Sequence, residues 1–311
     1  MKMIFELLLL AVGFVMLVKG ADWFVDGAAE IARKFHIPQL IIGLTIVAMG
    51  TSAPEAAVSI SAAMKGSADI TIGNIVGSNI LNVLIILGLT ALIVPVAVAK
   101  STVRKDMPFM IGISLLLLIQ GLDGTISLLD GVILTVVFIG YLVYLIRDAK
   151  KNPEADMEQF SRGQALWHSV LWLLVGLGLV VLGSNIAVDA ASEIARILGL
   201  SERFIGLTIV ALGTSLPELV TSVMAARKGN ADIAIGNIVG SNIFNILFVV
   251  GLSSLIIPVP FAAPFIVDCL VAIGAAVLLW VCSMSKGKLI RSHGVLMLAA
   301  YAGYFAYLML K

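Results

Sequence analysis

Residues 43–82 and 206–245 are one segment written twice. Of their 40 aligned positions 29 are identical, at a displacement of 163 residues. The first copy contains GTSAPEAAVS at 50–59 and the second GTSLPELVTS at 213–222, each inside an apolar run. A weaker echo upstream, VDGAAEIAR at 25–33 against VDAASEIAR at 188–196, extends the register, so the repeat spans whole halves of the chain.

The chain is 60% hydrophobic and only 13% charged, too few charges to cover the apolar surface of a soluble protein of 311 residues. Apolar stretches of the roughly 17 to 25 residues that a helix needs to cross a bilayer recur near 3–25, 39–64, 69–95, 107–122, 128–146, 166–190, 203–227, 232–257, 264–284 and 292–310. Alternating strand patterns are absent, so helices must satisfy the backbone in lipid. These observations predict an all-α membrane protein of ten transmembrane helices. Five spans per half is an odd number, which sends the second copy into the membrane from the opposite side: two five-helix repeats of inverted topology.

The predicted halves are 1–146, with its motif at 43–82, and 165–311, with its motif at 206–245. Between them RDAKKNPEADMEQFSRGQ, 147–164, reads as a cytoplasmic linker too short to fold alone. The first apolar run follows Glu6 and lacks a small-x-small cleavage pattern, so it reads as a retained helix. With both termini outside, 14 of the 20 Lys and Arg fall in inside loops and helix ends. Cys269 and Cys282 share one span without zinc spacing, and the three histidines are scattered. No resident cofactor is expected.

A carboxylate at the helix centre costs about 2.5 to 3.5 kcal/mol, so Glu55 and Glu218 require a compensating role. Pro54 lacks an N–H and its ring crowds the carbonyl of Gly50, breaking the helix where Thr51 and Ser52 precede Glu55. Pro217, Gly213, Thr214, Ser215 and Glu218 repeat the arrangement. The two clusters together make an oxygen-rich cage with two negative charges. A proline kink or a serine can also serve packing alone, but an ionisable group at membrane depth is a functional residue by default.

The next helix carries GNIVGSNILN at 73–82 and GNIVGSNIFN at 236–245. Gly73 with Gly77, and Gly236 with Gly240, give faces on which helices approach closely. Asn74, Ser78 and Asn82 form a stripe beside them. Ser78, Asn82, Ser241 and Asn245 are the candidate neutral oxygen ligands, whereas Asn74 and Asn79 divide evenly between packing and ligation. Asp69 and Asp232, at helix starts, suit capping or dipole roles. Carboxylate, hydroxyl, amide and carbonyl oxygens without thiolate or imidazole select hard cations, calcium or sodium ahead of magnesium.

With G-T-S-x-P-E on one helix and G-N-x-x-G-S-N on the next, in both halves, the chain resembles the cation/calcium exchanger superfamily, and within it the prokaryotic sodium/calcium exchangers. The resemblance implies exchange of sodium for calcium, with Glu55 and Glu218 on the central calcium and shared with sodium. It further implies Thr51, Ser52, Thr214, Ser215, Ser78, Asn82, Ser241 and Asn245 as side-chain ligands and the backbone carbonyls of Ala48 and Ala211. The residues themselves point to the Gly50 carbonyl, so the Ala48 assignment belongs to the resemblance alone. Some members carry an aspartate at the position of Asn245, among them potassium-dependent exchangers; asparagine in both halves implies no potassium requirement.

Rival readings are a proton/calcium antiporter, with the glutamates carrying protons, a calcium channel, and an intramembrane protease. The protease lacks any Gly-x-Gly-Asp, His-Glu-x-x-His or serine–histidine constellation. The expected partners are calcium and sodium ions and the lipid bilayer of a prokaryotic plasma membrane, with no nucleic acid, and the chain is expected to act as a monomer.

Overall fold

The computed structural model describes residues 2–151, 165–199 and 211–310. The linker 152–164, the start of the predicted span 203–227 and the first five residues of the second motif therefore lie outside the described residues.

The protein is mostly helical. Label α1 Lys2–Lys34, α2 Gln39–Thr51, α3 Ala53–Met64, α4 Ile70–Ile93, α5 Met107–Gly121 and α6 Leu128–Lys151. After the linker follow α7 Leu166–Ile197, α8 Leu216–Arg227, α9 Ala231–Ile256, α10 Pro264–Lys286 and α11 Arg291–Leu310. Among the described residues seven helices are long and apolar enough to cross a membrane, and α2 with α3, bent by 52°, makes an eighth as one broken span. This is a multi-pass membrane protein. Of the two other predicted spans, α5 has 15 residues and continues a π-helical turn at Thr102–Asp106. The other, 203–227, is represented by a short turn at Ala211–Gly213 and by α8.

α4 and α9 form the centre. Their most apolar windows are 78% and 94% buried, against 17% for α1 and 11% for α11. Their sequences explain the placement, because a helix carrying Gly, Ser and Asn at close spacing presents small surfaces and polar groups that only other helices can satisfy in lipid. The Gly236 and Gly240 face admits α2 to backbone contact: a Cβ at Gly240 would sit 2.6 Å from the Leu44 carbonyl oxygen, and one at Gly236 2.8 Å from that of Leu40. On α4 the matching Gly73 has a different neighbour, a Cβ there falling 3.4 Å from the Phe265 ring.

Contacts between the halves come in pairs that repeat at the same displacement. Val96–Ala97 pairs antiparallel with Lys288–Leu289, and Thr125–Ile126 with Val259–Pro260, the second ribbon being the first with the roles of the halves exchanged. These two-residue strands are too short to carry any alternation, which is why the sequence did not foretell them. Asn79 Nδ2 donates to the Asn242 carbonyl at 3.2 Å, and Asn242 Nδ2 returns the bond to the Asn79 carbonyl at 3.2 Å.

α1 and α7 form a second packing unit at the side of this core. Gly13, Gly20 and Gly27, seven apart on α1, face Gly183, Gly176 and the Ser169–Leu173 turn of α7. A Cβ at Gly27 would stand 2.6 Å from the Leu173 nitrogen, and one at Gly20 2.8 Å from the Gly176 oxygen. Backbones this close leave no room for side chains, so dispersion contacts along the whole seam hold the two helices as one body. Trp23 and Trp172 flank it at 5.5 Å between ring centroids.

Candidate functional site

The helix breaks occur where proline demands them. Ser52 leaves helical geometry at φ −82°, ψ 8°, and Ser215 does the same at φ −93°, ψ 5°. Pro54 and Pro217 then stand in the first turns of α3 and α8, where a missing N–H costs nothing. Glu55 and Glu218 follow, also in the first turn, with the positive end of a helix dipole beside each carboxylate.

Both carboxylates are buried, Glu55 at 1% exposure and Glu218 at 0%. Glu55 faces Glu218, with Ser215 and Ser78 beside it; Glu218 has Ser52 and Thr51 beside it. Ser52 Oγ donates to Glu218 Oε1 at 2.9 Å, a bond that crosses from one half to the other. Glu55 Oε2 and Glu218 Oε2 accept no hydrogen bond, and they are the only buried carboxylate oxygens of the described residues in that condition. Asn82 Oδ1, Asn245 Oδ1 and the Ser215 hydroxyl are likewise buried without a partner. Desolvated oxygens left unpaired are costly. Carboxylate, amide and hydroxyl oxygens in that condition are of the kind that suits a hard cation.

The asparagine amides show how this set is aimed. Asn82 Nδ2 donates to Asn242 Oδ1 at 3.0 Å and Asn245 Nδ2 to Asn79 Oδ1 at 3.1 Å, which ties up each NH₂ and leaves each Oδ1 free. Each of these asparagines opens a π-helical turn, Asn82–Leu87 and Asn245–Val250. Such turns recur at functional sites.

Asn74, which the sequence leaves undecided between packing and ligation, and its counterpart Asn237 brace the broken helices. Asn74 Nδ2 donates to Ser59 Oγ at 2.9 Å and to the Glu55 carbonyl at 3.3 Å; Asn237 Nδ2 donates to Ser222 Oγ at 3.0 Å and to the Glu218 carbonyl at 3.4 Å. Thr51 Oγ1 donates to Asn237 Oδ1 at 2.9 Å. Asn79 and Asn242 join the halves and position Asn82 and Asn245. Four asparagines thus form a supporting layer, of which the sequence singles out Asn74 and Asn79 without deciding their role; the duplicated GNIVGSN carries the signal of all four, but packing explains it equally well.

The remaining candidates are placed as follows. Thr51, Ser52, Ser78, Ser215 and Ser241 are buried, and Thr214 is half-buried. Ala48 is buried, and its carbonyl accepts Ser52 N–H at 3.0 Å and Ser241 Oγ at 3.4 Å, with the Thr51 hydroxyl, whose one hydrogen has its shorter contact to Asn237 Oδ1, 3.3 Å away. It is well supplied with donors here. Ala211 opens the short turn that leads to Gly213. Asp232 lies in the first turn of its helix, while Asn230 occupies the N-cap without a side-chain bond. Among the described residues no three His, Cys, Asp or Glu side chains gather as a metal-binding group, so the charge at the motif is that of the two glutamates.

A helical membrane protein whose repeated, proline-broken motifs meet in a buried cluster of carboxylate, hydroxyl and amide oxygens belongs to a recognisable class. The profile of the family described as sodium/calcium exchanger protein matches residues 5–147 and again 168–310, one match to each half. The chain is 42% identical to CaxA of Alkalimonas amylolytica, covering 94% of this chain and 95% of that protein. It is 37% identical to the inner membrane protein YrbG of Escherichia coli K12, covering 96% and 95%. A solved structure of the sodium-calcium exchanger NCX_Mj superposes with a TM-score of 0.86 at 34% identity, covering 98% of this chain and 99% of that one. The chain belongs to the sodium/calcium exchanger family.

Proposed function

We propose that this protein is a secondary antiporter that exchanges sodium for calcium across a prokaryotic plasma membrane by alternating access. The observation that carries the reading is the set of buried, unpaired oxygens on Glu55, Glu218, Asn82 and Asn245, contributed equally by the two halves. Two carboxylates balance one calcium or two sodium ions, so the ions compete for the site. Thr51, Ser52, Thr214, Ser215, Ser78, Ser241 and the carbonyls of Ala48 and Ala211 complete the coordination. For Ala48 this requires the hydroxyls of Thr51 and Ser241 to turn aside.

Ten spans as two inverted five-helix halves, 1–146 and 165–311, joined by the 147–164 linker, are the architecture that places such a site midway across the membrane. The reciprocal strand and asparagine pairs support that symmetry. The distribution of Lys and Arg puts both termini outside. An inner-membrane relative, YrbG, supports the location. The long first helix of each half, α1 and α7, is the moving gate, and the monomer is the working unit without any resident cofactor.

The test is calcium flux in proteoliposomes under imposed gradients. Calcium uptake into sodium-loaded vesicles collapses when sodium is equal on both sides. The resemblance to sodium/calcium exchangers implies a third sodium ion per turnover beyond the two that balance the carboxylates; one net charge then crosses per calcium, worth about 2.3 kcal/mol per 100 mV, and an inside-positive potential speeds uptake. Potassium is not required, because Asn245 supplies an amide. The second reading, proton/calcium exchange, is favoured by the same two buried glutamates; sodium-independent uptake that follows a pH gradient would establish it and remove sodium from the mechanism.

A further inference from the structure

Lys228 is the C-cap of α8, and the next residue, Gly229, turns the chain at φ +80°. Its ammonium reaches across to α1 and sits between two carboxylates, 2.6 Å from Asp22 Oδ1 and 2.8 Å from Asp26 Oδ1, while also donating to the Asp22 carbonyl at 2.8 Å. The group is largely shielded, with side-chain exposures of 22% for Lys228, 31% for Asp22 and 27% for Asp26. This cluster lies away from the candidate ion ligands and has no part in holding a cation there, since its own cation already occupies it.

The repeat assigns each member a counterpart. Lys228 corresponds to Lys65 at the end of α3, followed by Gly66 at φ +78°; Asp26 corresponds to Asp189 on α7, and Asp22 to Asn185. In the counterpart positions Lys65 and Asp189 are both exposed, and among the described residues neither takes part in an ion pair. The same asymmetry runs along the helices themselves. Leu216, Val220 and Met224 of α8 are covered by Leu17, Ala21, Val180 and Ala187 of the α1–α7 unit. Their counterparts on α3, Ala53, Ala57 and Ser61, are exposed. A cavity of about 510 Å³ lined by Glu6, Asp189, Ser192 and Glu193 opens beside Asp189.

We infer that Lys228 with Asp22 and Asp26 is an ionic latch that holds the α1–α7 unit closed over α8, and that Lys65 with Asp189 is its counterpart in the opposite state. The inference rests on the alternating-access reading and adds to it the residues that set the balance between the two states. Because α1 and α7 are one body, closing the α3 side must draw α1 off α8. The two latches therefore exclude each other. The second is the weaker, since Asn185 stands where the first has a second carboxylate. The resting protein then favours the state in which the α8 side, cytoplasmic by the distribution of Lys and Arg, is shut.

Thiol labelling with a membrane-impermeant maleimide tests this in the full-length protein with Cys269→Ala and Cys282→Ala. Val220→Cys reports the α8 side from the cytoplasm and Ala57→Cys the α3 side from outside. Lys228→Met should raise the rate at Val220→Cys roughly fivefold or more and slow the rate at Ala57→Cys, whereas Lys228→Arg leaves both unchanged. Lys65→Met should act in the opposite sense. Asp22→Asn with Asp26→Asn removes the latch from the other helix and must reproduce Lys228→Met, which guards against a local folding defect. If the reporters respond to sodium and calcium but not to Lys228→Met, or if Lys65→Met shifts them in the same direction, the latch is overturned while alternating access stands. If Val220→Cys stays unreactive in every ion condition although calcium flux continues, both readings fall.

Discussion

α3 and α8 begin with nearly the same residues and end in opposite surroundings. Each starts with a proline in its first turn and a buried glutamate and closes on Lys-Gly, yet one face of α8 is covered by α1 and α7 while the matching face of α3 is open. The positions at which the copies differ include that face: Leu216, Val220 and Met224 against Ala53, Ala57 and Ser61. The positions that agree include Thr-Ser-x-Pro-Glu and Gly-Ser-Asn, which turn toward the cage. The repeat is thus identical at the buried carboxylates and the residues beside them, and differs on the helix face that α1 and α7 cover in one half and leave open in the other.

The largest expected effect tests the sameness. Glu55→Gln and Glu218→Gln remove one of two charges that face a divalent cation in a desolvated site, where losing a charged partner costs more than 3 kcal/mol by order of magnitude, or roughly a hundredfold in transport. Calcium-45 uptake in proteoliposomes should be nearly abolished by both, with the protein still inserted. A large loss from one and a mild loss from the other would mean that the halves are not equivalent at the ion.

The α1–α7 seam should be next. Gly20→Leu and Gly183→Leu place a side chain against backbone atoms, since a Cβ at either position already falls 2.8 Å from the facing helix. Overpacking of this kind costs about 1 to 3 kcal/mol, to be read as a loss of thermal stability in detergent together with loss of flux. Gly178→Ala, on an exposed face of α7 where an added Cβ meets nothing within 4 Å, is the control to run alongside. Unchanged stability in both leucine variants would show that the two helices are not held as one body.

Removal of the cross-half ties should be smaller and equal. Asn79→Ala and Asn242→Ala each delete a bond of 3.2 Å to the opposite carbonyl and also the acceptor for Asn245 or Asn82. Each should lower stability by about 1 kcal/mol and weaken apparent calcium affinity, because the freed amide can rotate. Scintillation counting at graded calcium concentrations separates the affinity effect from a loss of folded protein. Unequal effects would break the reciprocity that relates the halves.

Much of this could be read from residues 43–82 and 206–245 alone. Glu55 and Glu218 announce themselves because a carboxylate in lipid is expensive, and Pro54 and Pro217 because a ring in a helix has one mechanical consequence. The seam was harder. Gly13, Gly20, Gly27, Gly176 and Gly183 keep their spacing, but the residues between them diverge, and a glycine in a membrane helix is common enough to pass unremarked. The latch was illegible for another reason. Lys65 and Lys228 are the same residue in the same motif, and the Asp22 and Asp26 that pair with Lys228 stand some two hundred positions away, so their pairing, and with it the meaning of Asn185 opposite Asp22, emerges only from the fold. The π-helical turns at Asn82 and Asn245 leave no mark that spacing rules detect.

The smallest expected effect falls on the difference itself. Ser52 and Ser215 are equivalent in the repeat and both buried, but Ser52 Oγ donates to Glu218 Oε1 at 2.9 Å, while Ser215 lies beside Glu55 without a hydrogen bond of good geometry. A side-chain hydrogen bond contributes about 0.5 to 1.5 kcal/mol net, so in the absence of calcium and sodium Ser52→Ala should lower stability by about that much and Ser215→Ala by less. With calcium bound the two should converge, because each serine then supplies one neutral oxygen and its loss should weaken apparent affinity only a few-fold. The inequality without ions and the equality with them are separate requirements, both read from thermal melts with and without saturating calcium. If the serines are equally costly without ions, the asymmetry stops at the helix surfaces and does not reach the cage. If they stay unequal with calcium bound, the ion is held by one half more than by the other, and the symmetric coordination proposed for it is wrong.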